Sequence, residues 1–386
     1  MSGTTSVIIC AYTESRWRQL VSAAESIRNQ TASVDELLIV IDHNDDLRDR
    51  AERAMPWARV IASSGSPGLS GARNTGMTAS TGEIVLFLDD DAVAEPDWVS
   101  QLLAQYCDPH VLGVGGAAQP LWERSAPYWW PVEFGWVVGC SYRGQPDTTA
   151  PVRNLMGCNM SLRRTVIEAV GGFNEVLGRE ADNAFGCEET ELCIRARQLV
   201  PDGQFIFEPK AVVHHWVPGS RSSWSYFRAR CRAEGVSKAR VARTVGRSAA
   251  LSAEKLYTRR VLPAGIARNI RDGLAGDMAG FARAGAIATG LSITAFGFLS
   301  AKTAQTARVS PRAASQSKDD GDGPSTSSGR IPSTNSGPTP SPRSERIDAL
   351  PTGAPVPTSI VNLNEPLSAI EDPELPARSS NALDGA

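Results

Sequence analysis

Three carboxylates in a row, Asp89-Asp90-Asp91, follow the apolar run Ile84-Val85-Leu86-Phe87-Leu88. Adjacent like charges repel, and a divalent cation removes that repulsion while taking hard oxygen ligands. Mg²⁺ or Mn²⁺ suits such donors, with one or two carboxylates and the remaining positions left to phosphate oxygens and water. A solvated acidic turn capping a helix over 95–105, with Asp97 as cap, explains one Asp but not three. A second cluster, Glu188-Glu189-Thr190-Glu191, opens a helix. The helix dipole accounts for one first-turn carboxylate. Another, beside a metal-bound phosphate, can act as general base toward a hydroxyl. His214-His215 end the apolar run Ala211-Val212-Val213, where imidazole is either structural or a metal ligand. Asp42 either caps a turn or accepts a bond from a base N–H. Arg73 lies in a glycine-rich stretch, Gly68-Leu69-Ser70-Gly71-Ala72-Arg73. Glycine permits close backbone approach, and Arg suits a pyrophosphate or a carboxylate.

These residues need a scaffold, and the pattern supplies one over residues 5–218. Short apolar runs at 7–10, 36–41, 59–61 and 83–88 read as strands. Helical patterns lie between them at 16–28, 45–53 and 71–78. Continuous apolar strands of this length fit an α/β sheet covered on both faces. Ligands on such sheets bind beyond the carboxyl ends of the strands, where Ala11-Tyr12, Asp42 and Asp89-Asp90-Asp91 stand.

The chain has 386 residues and a net charge of −3, so it is not basic throughout. Arg221 to Arg271, however, holds 13 Lys/Arg against 2 Asp/Glu, which suggests an anionic surface or a phosphate-bearing ligand. Residues 284–301 carry no charge, at the lower limit for a spanning helix. An interfacial or re-entrant membrane contact is favoured over a buried helix, because the basic segment precedes the run. Pro127-Tyr128-Trp129-Trp130-Pro131 and Trp136 fit sugar stacking, an interfacial position or core packing. After Phe298 there is no aromatic residue, and 12 of the 25 prolines fall at 311–386. Such a tail cannot bury enough apolar surface to offset its ordering entropy and reads as disordered. The expected organisation is a catalytic domain at 1–218, a basic and apolar helical segment at 219–302, and a tail at 303–386.

The seven scattered cysteines form no CxxC pair, which excludes a disulfide scaffold or structural zinc module and points to a reducing compartment. No cleavable signal sequence is read at the start. Gly113-Val114-Gly115-Gly116 lacks the helix and acidic residue of a dinucleotide fingerprint. No Gly-Lys-Ser/Thr and no GxSxG elbow occurs. Nucleic acid is not an expected partner, because the basic residues accompany an apolar run rather than a reading motif.

In order along the chain, SVIICAYTE, LLIVIDHND, GLSGARNTG, EIVLFLDDDAVAEPDW, GVGGAAQP, GCNMSLRR, GGFNE, FGCEETELCIRA and AVVHHW resemble the family 2 glycosyltransferases. Their fold is the GT-A nucleotide-sugar fold, a Rossmann-like α/β domain. DDDAVAEPDW, PVEFGWVVGC and RCRAEGVSKA further resemble archaeal glucuronosyltransferases acting on lipid-linked glucose. The resemblance implies an inverting, metal-dependent hexosyltransferase working with Mg²⁺ or Mn²⁺. The donor implied is a UDP-hexose or UDP-hexuronate. The acceptor implied is a polyprenyl-phosphate-linked sugar or another oligosaccharide at a membrane surface, the cytoplasmic face of the plasma membrane. Ala11, Tyr12, Glu14 and Asp42 would surround the base, and Arg73 would approach base or phosphates. Asp89 and Asp90 would hold ribose and metal, with Asp91 the metal-binding end of the DxD motif. Gly157, Cys158 and Asn159 would line the sugar pocket. Glu189 would be the base with Glu188 its neighbour, and His215 a late metal or phosphate contact. Glu188-Glu189 stands where many relatives have Glu-Asp, and the extra methylene leaves open which Glu acts. Two rivals are a sugar nucleotidyltransferase and a non-catalytic membrane-recruited scaffold. The first would need a basic glycine-rich loop where Ala11-Tyr12-Thr13-Glu14 stands, and the second leaves the acidic motifs unexplained.

Overall fold

The structure, a computed structural model, describes residues 3–177 and 186–309. The Pro-rich tail beyond 309 therefore lies outside the described residues. Four parallel strands form one half of a mixed sheet: β1 (Thr5–Ala11), β2 (Glu36–Ile41), β3 (Arg59–Ala62) and β4 (Ile84–Asp89). The other half contains β5 (Ala92–Ala94), β6 (Val111–Trp122), β7 (Ala150–Val152), β8 (Asn159–Arg163) and β9 (Gln204–Val217). The order across the sheet is β3-β2-β1-β4-β8-β6-β9-β5, with β7 also pairing β9. β8 runs antiparallel to β4, so the sheet changes sense beside the Asp89 strand.

The helices are α1 (Trp17–Arg28), α2 (Asp45–Ala54), α3 (Leu69–Ala79), α4 (Trp98–Ala104), α5 (Arg164–Val170) and α6 (Glu188–Leu199). Then follow α7 (Trp224–Thr244), α8 (Arg247–Ala250), α9 (Ser252–Leu256), α10 (Leu262–Leu274) and α11 (Ala279–Val309). Successive residues of β1 point to opposite faces. Val7, Ile9 and Ala11 bury against α1, α2 and α4 through Leu20, Ala51 and Leu102. Ile8 buries on the other face with Ala72, Ile167 and Leu192 of α3, α5 and α6. Coverage on both faces explains why this strand carries no polar alternation. Each such side chain contributes about 1.5–3 kcal/mol when fully buried.

The Gly113–Gly116 run sits inside β6, as a strand rather than a loop. A Cβ on Gly116 would stand 1.8 Å from the Ala211 carbonyl oxygen of β9, so only glycine fits this contact. Asp97 occupies the residue before α4 but makes no cap bond; its Oδ2 accepts from Gln101 Nε2 instead. Trp129, Trp130 and Trp136 pack in an apolar cluster with Phe134, Phe227 and Ile287, which joins the 130–140 segment to α7 and α11. Tyr128 of the same run is exposed. α11 buries one face in this cluster and leaves the other open.

Candidate active site

Asp89 closes β4, and Asp90-Asp91 form the turn into β5. β5 pairs antiparallel with β9 so that Ala92 faces His215, and the Trp216 N–H donates to the Asp91 carbonyl at 2.7 Å. That register brings His215 Nε2 to 3.1 Å from Asp91 Oδ1. Asp89, Asp91 and His215 each offer a ligand atom, and these atoms lie within 4.8 Å of one another. The His215 ring rests against Gly139, whose φ is +79°, and a Cβ there would stand 3.1 Å from His215 Cε1. Cys140 Sγ lies 3.9 Å from His215 Nδ1.

Two arginines complete this corner. Arg16 Nη1 stands 2.8 Å from Asp90 Oδ1 and 3.2 Å from Asp91 Oδ2, and Arg221 Nη1 stands 3.9 Å from Asp91 Oδ2. Burial opposes ionisation of Asp91, but His215, Arg16 and Arg221 outweigh it and hold its carboxyl well below the usual range. Burial and the charge of Asp91 push Asp90 the other way, upward. Burial disfavours imidazolium at His215, yet Asp91 overrides that and raises it to about 10. Asp90 Oδ2 is buried without a hydrogen-bond partner among the described residues. Two carboxylates, one imidazole and an orphaned carboxylate oxygen beside them fit a hard divalent cation.

Arg73 links this corner to α6. It is buried and donates to Glu188 Oε1 at 3.1 Å, Asp89 Oδ1 at 3.2 Å and the Gly157 carbonyl at 2.9 Å. Its guanidinium is enclosed by these protein groups. Glu191 pairs with Arg195 at 2.8 Å and is structural. Glu189 is half-buried and forms no side-chain ion pair among the described residues. Burial and the charge of Glu188 raise its pKa to about 8. Cys187, immediately before this helix, has φ +79°, and His43, immediately after Asp42, has φ +53°. These are the non-glycine positive-φ residues among those described, and both adjoin candidate site residues, where backbone strain often concentrates.

At the ends of β1 and β2, Ala11 is buried, Tyr12 is exposed with Arg16 over its ring, and Glu14 faces Arg50. Asp42 Oδ2 accepts from the Gly68 N–H at 2.8 Å, and Oδ1 lies 2.7 Å from His43 Nδ1. Gly157 stands against the Arg73 guanidinium, and Cys158 Sγ donates to the Gly139 carbonyl at 3.3 Å. Asn159 is fully buried; Oδ1 accepts from Trp98 Nε1 at 2.8 Å and Nδ2 donates to the Ala117 and Ala211 carbonyls, each at 2.9 Å. Sequence reading missed Arg16 and Arg221. Arg16 follows the first strand by one turn, and Arg221 follows β9 by four residues; that placement at strand ends was the available signal.

A mixed sheet with an acidic corner at its strand ends and a glutamate of raised pKa on an adjacent helix is the layout of an α/β enzyme. A family model described as Glycosyl transferase family 2 matches residues 6–171. The glucosyl-dolichyl phosphate glucuronosyltransferase of Haloferax volcanii is 33% identical over 237 residues, covering 60% of this chain and 75% of that protein. The pre-mycofactocin glycosyltransferase of Mycobacterium tuberculosis is 30% identical over 152 residues, covering 39% of this chain and 30% of that protein. A solved mannosyltransferase from Pyrobaculum calidifontis, in complex with GDP-Man and Mn²⁺, is 16% identical with a TM-score of 0.47, covering 76% of this chain and 87% of that one. The chain belongs to glycosyltransferase family 2 and is a glycosyltransferase with the GT-A fold.

Proposed function

We propose that the protein is an inverting, metal-dependent glycosyltransferase. It moves a sugar from a UDP-hexose or UDP-hexuronate to a hydroxyl of a polyprenyl-phosphate-linked glycan at the cytoplasmic face of the plasma membrane. The observation that carries this reading is the chain of contacts Asp91–His215, Asp89–Arg73 and Arg73–Glu188, which sets a cation-ready corner next to Glu189. The name of the Haloferax volcanii relative supports the lipid-linked acceptor.

Asp89, Asp91 and His215 would hold Mg²⁺ or Mn²⁺, which supplies Lewis-acid stabilisation of the departing diphosphate. Glu189 takes the proton from the acceptor hydroxyl, and that oxygen attacks the anomeric carbon on the face opposite the leaving nucleotide. A base with pKa near 8 is matched to this task, since it is ionised in part at neutral pH and strong enough to accept the proton. Arg73 holds Glu188 and Asp89 in place from within the protein. Tyr12, Glu14 and Asp42 surround the base at the ends of β1 and β2, with the backbone of Ala11 forming the floor. Asp90 reaches the ribose, and Gly157 with Cys158 shapes the sugar side. The catalytic groups belong to 1–218, and 219–302 meets the acceptor.

The test is turnover with UDP-, GDP- and dTDP-sugars against polyprenyl-phosphate-linked glucose, with and without Mn²⁺. The reading expects metal-dependent release of UDP and a product of inverted anomeric configuration. Release of pyrophosphate from nucleoside triphosphate and sugar phosphate would replace it with nucleotidyl transfer.

A further inference from the structure

We infer that α11 lies in the plane of an anionic lipid surface, with its open stripe at the acyl-chain boundary and the arginines of α7 among the headgroups, and does not cross the bilayer. This surface extends the lipid-linked acceptor reading, but it rests on other residues.

By length and composition, Ala279–Ala301 of α11 is apolar enough to span. Its packing contradicts that use. Ala284, Ile287 and Gly290 turn inward, and Gly290 abuts the rings of Phe134 and Phe227. Gly235 of α7 and Gly297 of α11 each sit against the other helix's backbone, at the Thr294 and Arg232 carbonyls. Small residues at such points allow close helix contact. If α11 crossed a bilayer in this arrangement, α7 would enter with it, carrying Arg228, Arg230, Arg232, Glu234 and Lys238. Ionic groups at that depth are costly.

The outward face fits a surface instead. Phe281, Gly285, Ala288, Ser292, Phe296 and Leu299 recur at three- and four-residue spacing, exposed and uncharged. Positive charge borders this stripe. The Arg232 guanidinium lies over the Phe296 ring at 5.8 Å, and Arg243 Nη2 donates to the Ala301 carbonyl at 2.5 Å. Arg228, Arg247, Arg259 and Arg260 are also exposed. Both acidic residues between Arg221 and Arg271 are consumed internally. Glu234 pairs with Lys238 at 3.1 Å, and Glu254 pairs with Lys238 at 2.6 Å and Arg153 at 2.5 Å. The segment's outward charge is therefore positive, the complement of an anionic headgroup layer. The α10–α11 turn adds exposed Leu274 and Met278, and its Asp277 pairs with Arg283 at 2.5 Å.

The experiment floats the full chain with vesicles of phosphatidylcholine alone or with phosphatidylglycerol added. Flotation with the anionic vesicles only, and release by high salt and by alkaline carbonate, is the expected result. Phe296→Asp with Leu299→Asp should lower the bound fraction about tenfold, which corresponds to losing about 1.4 kcal/mol of binding. Reversal of Arg228 and Arg232 to Glu should do the same, and both variants should keep the wild-type donor-induced thermal shift. Retention through carbonate would make α11 a span and overturn the inference. Equal binding to neutral vesicles, or none to either, would also overturn it. So would light scattering that shows the stripe covered by a second copy. The vesicles contain neither donor nor acceptor, so the flotation outcomes are independent of whether the transferase reading holds.

Discussion

Arg73 pairs with Glu188 but forms no ion pair with Glu189 among the described residues, and on the proposed mechanism Glu189 is the residue left to act as base. Glu189→Gln should lower kcat by about 10²- to 10⁴-fold, the ordinary range for a lost general base. Donor affinity, read by calorimetry, should stay within about twofold of wild type. Parallel loss of donor affinity would make Glu189 a binding residue. The pH dependence follows from its pKa near 8, raised by burial and Glu188. The ionised form accepts the proton, so kcat should rise with pH through about 8 and then level. At His215 the sign concerns metal uptake. Its pKa is raised to about 10 against Asp91, so below that pH it carries a proton that a cation must displace. Mn²⁺ affinity should therefore rise about tenfold per pH unit between 6 and 8, with proton release visible as a buffer-dependent binding heat. Asp89, Asp91 and His215 stood out in the sequence because each ends an apolar run. Arg73's enclosure did not, because it depends on Glu188, 115 residues away.

The first four strands were legible as elements because each is a nearly unbroken apolar run between polar helices. β2 begins and ends where its pattern does, at Glu36 and Ile41. Of the mixed half of the sheet, only the Ala211–Val213 stretch of β9 was legible as a strand. β8 reads Asn-Met-Ser-Leu-Arg, and its polar residues are satisfied inside the protein, so composition alone suggests no strand. Asn159 shows why. Its amide ties Trp98 of α4 to β6 and β9, bonds that depend on residues 42 to 61 positions away. Asn159→Ala leaves a buried indole N–H and two carbonyls without partners. The expected cost is about 3–5 kcal/mol, within the range for several orphaned groups, read as a lower urea midpoint at unchanged m-value. A loss below about 1 kcal/mol would mean that water replaces the amide.

At the scale of the molecule, the helical region meets α6 at both ends: Gln198 Nε2 donates to the Val245 carbonyl at 2.9 Å at the far end, and two bonds form at the near end. Ser237 Oγ of α7 accepts from the Gly186 N–H at 3.3 Å, and Cys187 Sγ donates to Glu234 Oε1 at 3.6 Å. Charge counting revealed that residues 221–271 are basic, but it could not show that their two glutamates are spent inward. Lys238 neutralises both, and Arg153 ties the same cluster to the segment leading into Gly157. Lys238→Met would leave Glu234 and Glu254 half-buried and facing each other, with Glu234 next to Cys187. Breaking a buried ion cluster at one member costs about 3 kcal/mol. The stability loss should come with a fall in kcat, because the turn that begins α6 shifts and Glu189 shifts with it. Replacing Arg153, Arg230, Glu234, Lys238 and Glu254 together by Met, Met, Leu, Met and Leu removes the charges of the whole cluster. Stability should then return, since apolar replacements of ionic clusters are often neutral. If kcat also returns, packing alone places Glu189. If stability returns while kcat stays low with KM unchanged, the ionic cluster itself sets the geometry of the base, and α7 is part of the catalytic framework.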